Sequence, residues 1–274
     1  MLPDFIVIGA MKCGTTSLYN YLNEHPNVVM SVEKEPSYFC HNYYKGLSWY
    51  KSQFPDNDSC LIGEASTQYT KYPIHKEVPS RINALLPSVK LIYVVRDPVE
   101  RMLSHYVHAR SHDEEKRQIS ECIHTEEKNP YVAYSSYAFQ IKRYLEYFDN
   151  EQLLIVDSHE LKNERESVLE EIFNFIGATP EYIAGSDFSA EANKSAGATE
   201  RNRLISSLVR VQWVHGAYAS LPEKARSLLK PFYRSPLDKP ELSQKQKEEL
   251  YDYFKPEVRW LREFSGLKFS SWGV

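Results

Sequence analysis

Several things are scarce in this 274-residue chain. No apolar run approaches the roughly 18–20 residues that cross a bilayer, so neither a transmembrane helix nor a membrane partner is expected. Met1-Leu2-Pro3-Asp4 holds no basic stretch, and the apolar residues that follow lead straight into a motif, so no signal peptide is expected either. Cysteine is rare: Cys13, Cys40, Cys60 and Cys122 form no CxxC pair. That spacing suggests neither a zinc site nor a disulfide framework, and a reduced, cytoplasmic setting is the simplest expectation. Basic residues are not in excess. Lys plus Arg is 33 against 37 for Asp plus Glu, a formal net charge of −4, which argues against a general nucleic-acid binder. Repeats, low-complexity tracts and Gly/Ser linkers are absent, so residues 1–274 read as one domain.

What is present is a folded chain, 42% hydrophobic and 26% charged, with 20 tyrosines. Phe5-Ile6-Val7-Ile8, Lys90 to Val95 and Leu153 to Val156 read as buried strands, with Val28-Val29-Met30 and Leu61-Ile62 as shorter ones. Continuous apolar runs, not alternating ones, suit a parallel sheet covered on both faces. Helices are predicted over roughly 16–23, 98–111, 134–147 and 164–175, the last closed by Gly177. Ser243 and Gln246 make a capping box for a helix through Phe254, which Pro256 then interrupts. The prediction is a three-layer, P-loop-like α/β fold with a central parallel sheet flanked by helices and a helical C-terminal region.

The most informative stretch runs from Gly9-Ala10-Met11-Lys12-Cys13-Gly14 into Thr15-Thr16-Ser17, between a strand and a helix. Such a loop offers backbone N–H groups, a helix N-terminus and one lysine to an anion. It departs from the template GxxxxGK[ST]: Gly9 and Gly14 are spaced correctly, but Thr15 follows the second glycine and the lysine lies earlier, at Lys12. A nucleotide triphosphatase also needs a carboxylate for magnesium, yet the strand ending Val94-Val95 is followed by Arg96. Arg96 itself stands at the carboxyl end of a strand, where ligands bind in open α/β sheets. Pro98 opens the next helix, and Ser104 lies two turns along it. Arg96 and Ser104 are therefore candidates for a second phosphate, the alternative being an ion pair of Arg96 with Asp97 or Glu100.

Both stretches together resemble the sulfotransferases that use 3′-phosphoadenosine-5′-phosphosulfate (PAPS), in particular the bacterial and heparan-sulfate-type domains. The first is similar to their 5′-phosphosulfate loop, and the Arg-Asp-Pro…Ser stretch to their 3′-phosphate element. Lys34-Glu35-Pro36-Ser37 resembles the segment that carries their catalytic glutamate, and Gly63-Glu64-Ala65-Ser66-Thr67 is also similar to a stretch of that group. The resemblance implies that Lys12 contacts the bridging and 5′-phosphosulfate oxygens, and that Cys13, Gly14, Thr15, Thr16 and Ser17 form the cradle. It further implies that Arg96 and Ser104 hold the 3′-phosphate, that Glu35 is the general base, and that Lys194 belongs to a second cofactor-contacting loop. Ser37 stands where many glycan-directed members have histidine, and Ala65 where some have lysine. Both differences argue against a heparan-like polysaccharide acceptor.

The implied reaction moves the sulfuryl group from PAPS to a hydroxyl or amine of a small molecule, natural product or saccharide. It leaves adenosine 3′,5′-bisphosphate (PAP) and requires no metal. The alternatives are a P-loop-type nucleotide or small-molecule kinase and a non-catalytic nucleotide-binding module. His41 is a rival base. His105, His108 and His112 share a predicted helix and read as ordinary packing or acceptor-pocket residues, not metal ligands. Tyr38, Tyr43, Tyr44, Tyr69, Tyr72, Tyr106, Tyr134 and Tyr137 lie in or beside segments expected to face the acceptor or the adenine.

Overall fold

The structure is a computed structural model that describes residues 1–56, 59–123, 129–180, 199–201, 234–236 and 240–274. Its centre is a parallel sheet of five strands: β1 (Phe5–Gly9), β2 (Val28–Met30), β3 (Leu61–Ala65), β4 (Lys90–Val95) and β5 (Leu153–Asp157). They lie in the order β2-β3-β1-β4-β5. Every strand coincides with one of the apolar runs. β1 is buried along its whole length, and β4 from Leu91 onward, as continuous runs between two helical layers must be.

The helices, in chain order, are α1 (Thr15–Glu24), α2 (Gly46–Lys51), α3 (Val78–Leu85), α4 (Pro98–Ser111), α5 (Ile119–Cys122), α6 (Pro130–Ala133), α7 (Tyr137–Ile141), α8 (Ser158–Asn163), α9 (Arg165–Ile176) and α10 (Gln244–Ser265). None of the described helices is long and apolar enough to cross a membrane. The strand order places the functional loops. From β1 the chain moves to one side, to β2 and β3, and then crosses to β4 and β5 on the other. Loops leaving the carboxyl ends of β1, β3 and β4 therefore part around a crevice, the position where open α/β sheets bind ligands.

Close approach of β1 to β3 rests on a glycine. Phe5 pairs with Gly63 across β1 and β3, and a Cβ at Gly63 would overlap the Phe5 ring and crowd the Met30 sulfur at 2.8 Å.

Two expectations are corrected. The helix predicted over 134–147 is confined to Tyr137–Ile141. Ser135 and Ser136 turn their hydroxyls onto the carbonyls of Pro98 and Val132 at 2.9 and 3.2 Å, and so compete with helical pairing. Beyond Ile141 the chain tightens into turns, with Tyr144 buried and its hydroxyl donating to the Tyr69 carbonyl at 2.9 Å. Second, Pro256 does not interrupt α10. The capping box starts the helix as expected, and it runs on to Ser265 because Leu250, Phe254, Val258 and Leu261 form one buried stripe on both sides of the proline. Burial of that stripe outweighs the missing backbone donor. Besides the five-stranded sheet, Thr199–Arg201 and Arg234–Pro236 pair antiparallel as β6 and β7.

Candidate active site

At the carboxyl edge of the sheet lies an open cleft of about 500 Å³. Its size suits a nucleotide-sized ligand. Loops after four of the five parallel strands contribute to it: Lys12 and Gly14–Thr16 after β1, Lys34 and Glu35 after β2, Thr67, Gln68 and Lys71 after β3, and Arg96 after β4. Ser104 and His108 reach it from α4.

The β1 loop is shaped for an anion. Gly14 is the N-cap of α1, with φ 90°, a region open to glycine and costly for other residues. It brings no side chain to cap the helix, and a Cβ there would meet nothing within 4 Å. The positive end of α1 therefore faces the cleft. Lys12 sits beside it, also in the left-handed region at φ 72°. Burial lowers the Lys12 pKa from its ordinary value, and the neighbouring Arg96 lowers it further. Burial also lowers that of Lys71. Among the described residues neither lysine forms an ion pair. Two half-buried ammonium groups outside any ion pair among the described residues, with Glu35 close enough to Lys71 to raise its pKa, are suited to an anionic ligand.

The β4 edge is held by Tyr137. Its hydroxyl donates to the Arg96 carbonyl at 2.7 Å, accepts from the Arg96 N–H at 3.3 Å, and lies 3.7 Å from the Cys13 sulfur. One buried side chain thus fixes both the β1 loop and the end of β4. Asp97 caps α4, accepting from the Val99 and Glu100 N–H groups at 2.9 and 3.0 Å, and also accepts from Gly273 N–H at 2.8 Å. Asp97 is thereby committed to the backbone, and it is Glu100 that pairs with the Arg96 guanidinium, at 3.1 Å. That pair is exposed enough to be worth little, so it does not withhold Arg96 from the cleft.

Glu35 stands across the cleft with φ 64°. Its N–H donates to Ala65 O at 3.0 Å. One carboxylate oxygen accepts from Lys34 Nζ at 2.8 Å and the other from Thr67 Oγ1 at 3.0 Å. β2 and β3 together orient this carboxylate. His108 faces the same cleft, and burial with Lys12 close by pushes it down to about 4, so it is neutral at pH 7.

The cleft thus brings together Lys12, Gly14, Thr15, Thr16, Glu35, Arg96 and Ser104 from the sequence-derived set. Cys13 turns inward: burial pushes its thiol up to about 11, and its neighbour is Tyr137. Ser17 is one position further into α1 and is not on the wall. Lys194 lies outside the described residues. Sequence reasoning missed Lys34, Thr67, Gln68 and Lys71. The signal available was their neighbourhood: Lys34 adjoins Glu35, and the other three follow Gly63-Glu64.

None of the eight tyrosines expected at the cleft lines it. Tyr38 stacks on Tyr50 at 4.2 Å, Tyr106 donates to Arg117 O at 2.8 Å, and Tyr69 and Tyr137 are buried. Tyr43 and Tyr44 are exposed. His105 packs between Tyr131 and Tyr134, at 4.6 and 5.8 Å. Several of these tyrosines build core, with the hydroxyls of Tyr106 and Tyr137 donating to backbone carbonyls.

Glu64, at the end of β3, is fully buried and accepts from the Tyr50 hydroxyl. Burial pushes its carboxyl up from 4.5 to about 7. The folded state then holds the proton more tightly than the unfolded chain. The associated stability is complete below about pH 4.5 and is lost as pH rises through about 7. Glu64→Gln should therefore gain on wild type by about 2–3 kcal/mol between pH 5 and pH 8 in chemical denaturation. A difference between the two proteins that is constant with pH contradicts this.

Residues 2–264 match the family model of the sulfotransferase domain. A mouse protein named bifunctional heparan sulfate N-deacetylase/N-sulfotransferase 4 is 33% identical over 199 residues, covering 66% of this chain and 23% of its own. A human one, number 3 of the same series, is 30% identical over 211 residues, covering 70% and 24%. The chain thus spans about a quarter of the length of these relatives. Among solved structures, a sulfotransferase from Alicyclobacillus acidocaldarius superposes with a TM-score of 0.71 at 23% identity, covering 99% of both chains. Mouse sulfotransferase SULT7A1 complexed with PAP superposes at 0.55 with 14% identity, covering 96% of this chain and 88% of that one. Both share the fold.

Proposed function

The chain belongs to the sulfotransferase domain family, and from that premise we propose that it moves the sulfuryl group of PAPS to a hydroxyl or amine of a saccharide or other small acceptor. The observation that supports this most is the division of one cleft into two chemistries. Lys12, the uncapped start of α1, Arg96 and Ser104 are suited to anions, and Glu35 stands in the same space as an oriented carboxylate.

The residues fit the cofactor. Gly14 leaves room at the helix start, and Lys12 and Lys71 are half-buried cations without ion pairs among the described residues. Lys12 and the backbone of Gly14 to Thr16 would hold the 5′ end, and Arg96 and Ser104 the 3′-phosphate. When bound, PAPS supplies the sulfuryl group, whose bond to the bridging oxygen breaks as the acceptor atom bonds to sulfur. Lys12 stabilises negative charge at the loop, where the positive end of α1 also points. Glu35 accepts the acceptor's proton, and Thr67 and Lys34 keep its two oxygens aimed. Preorganised charge and position are the main demands of such a transfer.

The relatives named for heparan sulfate make a saccharide the first acceptor class to try, and Lys34 and Lys71 around Glu35 favour one that carries negative charge. The decisive first measurement is thermal. PAP with EDTA present should stabilise the protein, by about 2.7 kcal/mol at a hundredfold excess over its Kd. A shift with ATP and magnesium but none with PAP would overturn the reading and restore the kinase alternative.

A further inference from the structure

A second group of chemically active side chains converges beside the cleft. Cys40, His41 and His75 place a sulfur and two ring nitrogens all within 4.8 Å of one another. The two Nε2 atoms are 3.0 Å apart, with the rings edge to face at 4.7 Å. Cys40 and His75 are half-buried and His41 is exposed, so the group is open on one side.

We propose that Cys40, His41 and His75 form a three-ligand site for a zinc-class divalent cation, with the fourth position left to water. The donor set carries the choice. One thiolate and two imidazoles suit a borderline-soft ion and are poor ligands for magnesium or calcium, which take oxygen. Zinc at its usual distance of about 2.0–2.1 Å from each nitrogen, in tetrahedral geometry, sets the nitrogens about 3.3 Å apart. The two rings need a shift of only a few tenths of an ångström to meet that. Binding releases the thiol proton, since the thiolate is the ligand.

The site's position gives it a consequence. Cys40 and His41 lie on the segment after Glu35, and His75 lies four residues after Lys71. An ion held by all three ties the segment carrying Lys34 and Glu35 to the one carrying Thr67 to Lys71, which together form one wall of the cleft. The ligands are invisible as a motif because two are adjacent and the third is distant in the chain.

The test uses the full chain, stripped with chelator, kept reduced, and titrated with Co²⁺ and then Zn²⁺. One equivalent of Co²⁺ should give a thiolate-to-cobalt charge-transfer band and intense tetrahedral visible bands, both lost as Zn²⁺ displaces it. Zn²⁺ should also raise the melting temperature. Cys40→Ser should remove the charge-transfer band, and His41→Ala or His75→Ala should weaken Zn²⁺ binding by more than the roughly 10–100-fold typical of an outer-sphere change. Cys60→Ser and His112→Ala should change nothing. They remove the competing donors, including the His108–His112 pair whose rings lie 4.2 Å apart. His41 is exposed, so its variant keeps the test valid if Cys40→Ser folds poorly. A wild-type cobalt spectrum without the sulfur band, or a band that survives in folded Cys40→Ser, overturns the site. Neither readout involves PAPS or turnover, so failure here is separate from failure of the sulfuryl-transfer reading.

Discussion

Lys12→Ala should lower turnover at least ~100-fold while leaving the fold intact, the size expected when one transition-state charge contact is removed. The two halves of that result come from the same physics. Burial and Arg96 already lower the pKa of the Lys12 ammonium, so the free protein holds this charge at some cost. Alanine bears the same left-handed backbone at φ 72° that lysine bears, so the substitution adds no new backbone strain. It relieves desolvation and the repulsion from Arg96. The variant's melting temperature should therefore match or exceed that of wild type while activity collapses, the usual sign of a functional charge held against stability. PAP binding should weaken too, because the ammonium attracts the ligand before the reaction begins. A loss of turnover below tenfold, measured with any active acceptor, contradicts the role given to Lys12.

The parts of this arrangement that sequence pattern revealed are those written in contiguous residues. Five apolar runs became five parallel strands because a strand buried on both faces has no polar positions to interrupt it. The β1 loop and the start of α4 were legible for a similar reason: glycine, lysine, hydroxyl and proline must stand at fixed short spacings to turn the chain and expose a helix end. Thr67 and Lys71 were not legible, because only the pairing of β2 with β3 brings them to Glu35. The same holds for His75, which meets Cys40 and His41 only in the fold. Tyrosine misled for a different reason. Its ring is as useful in a core as in a pocket, and composition does not say which backbone carbonyl its hydroxyl will find; Tyr137 finds that of Arg96. Pro256 shows local propensity losing to tertiary burial, since the apolar stripe of α10 continues past it.

Glu35→Gln separates proton transfer from binding. Glutamine preserves shape and still accepts from Thr67 Oγ1 through its amide oxygen, so the wall of the cleft should stand. What it cannot do is take a proton from an acceptor hydroxyl or amine. General-base catalysis contributes about 10²–10⁴-fold, and turnover should fall by that factor. PAP affinity should stay within about threefold, because Glu35 is placed on the acceptor side and not on the anion cradle. The split between the two measurements is what distinguishes a base from a residue that merely supports the cleft. His108 is the rival inside the same space, already neutral at pH 7 and therefore able to accept a proton. His41, the rival read from the sequence, is paired with His75 and absent from the cleft wall, which leaves it poorly placed. If Glu35→Gln keeps more than a third of wild-type turnover while His108→Ala abolishes it, the base is the histidine. If Glu35→Gln loses activity and PAP affinity together, the carboxylate's work is to organise Lys34 and the cleft wall, and the proton leaves by another route.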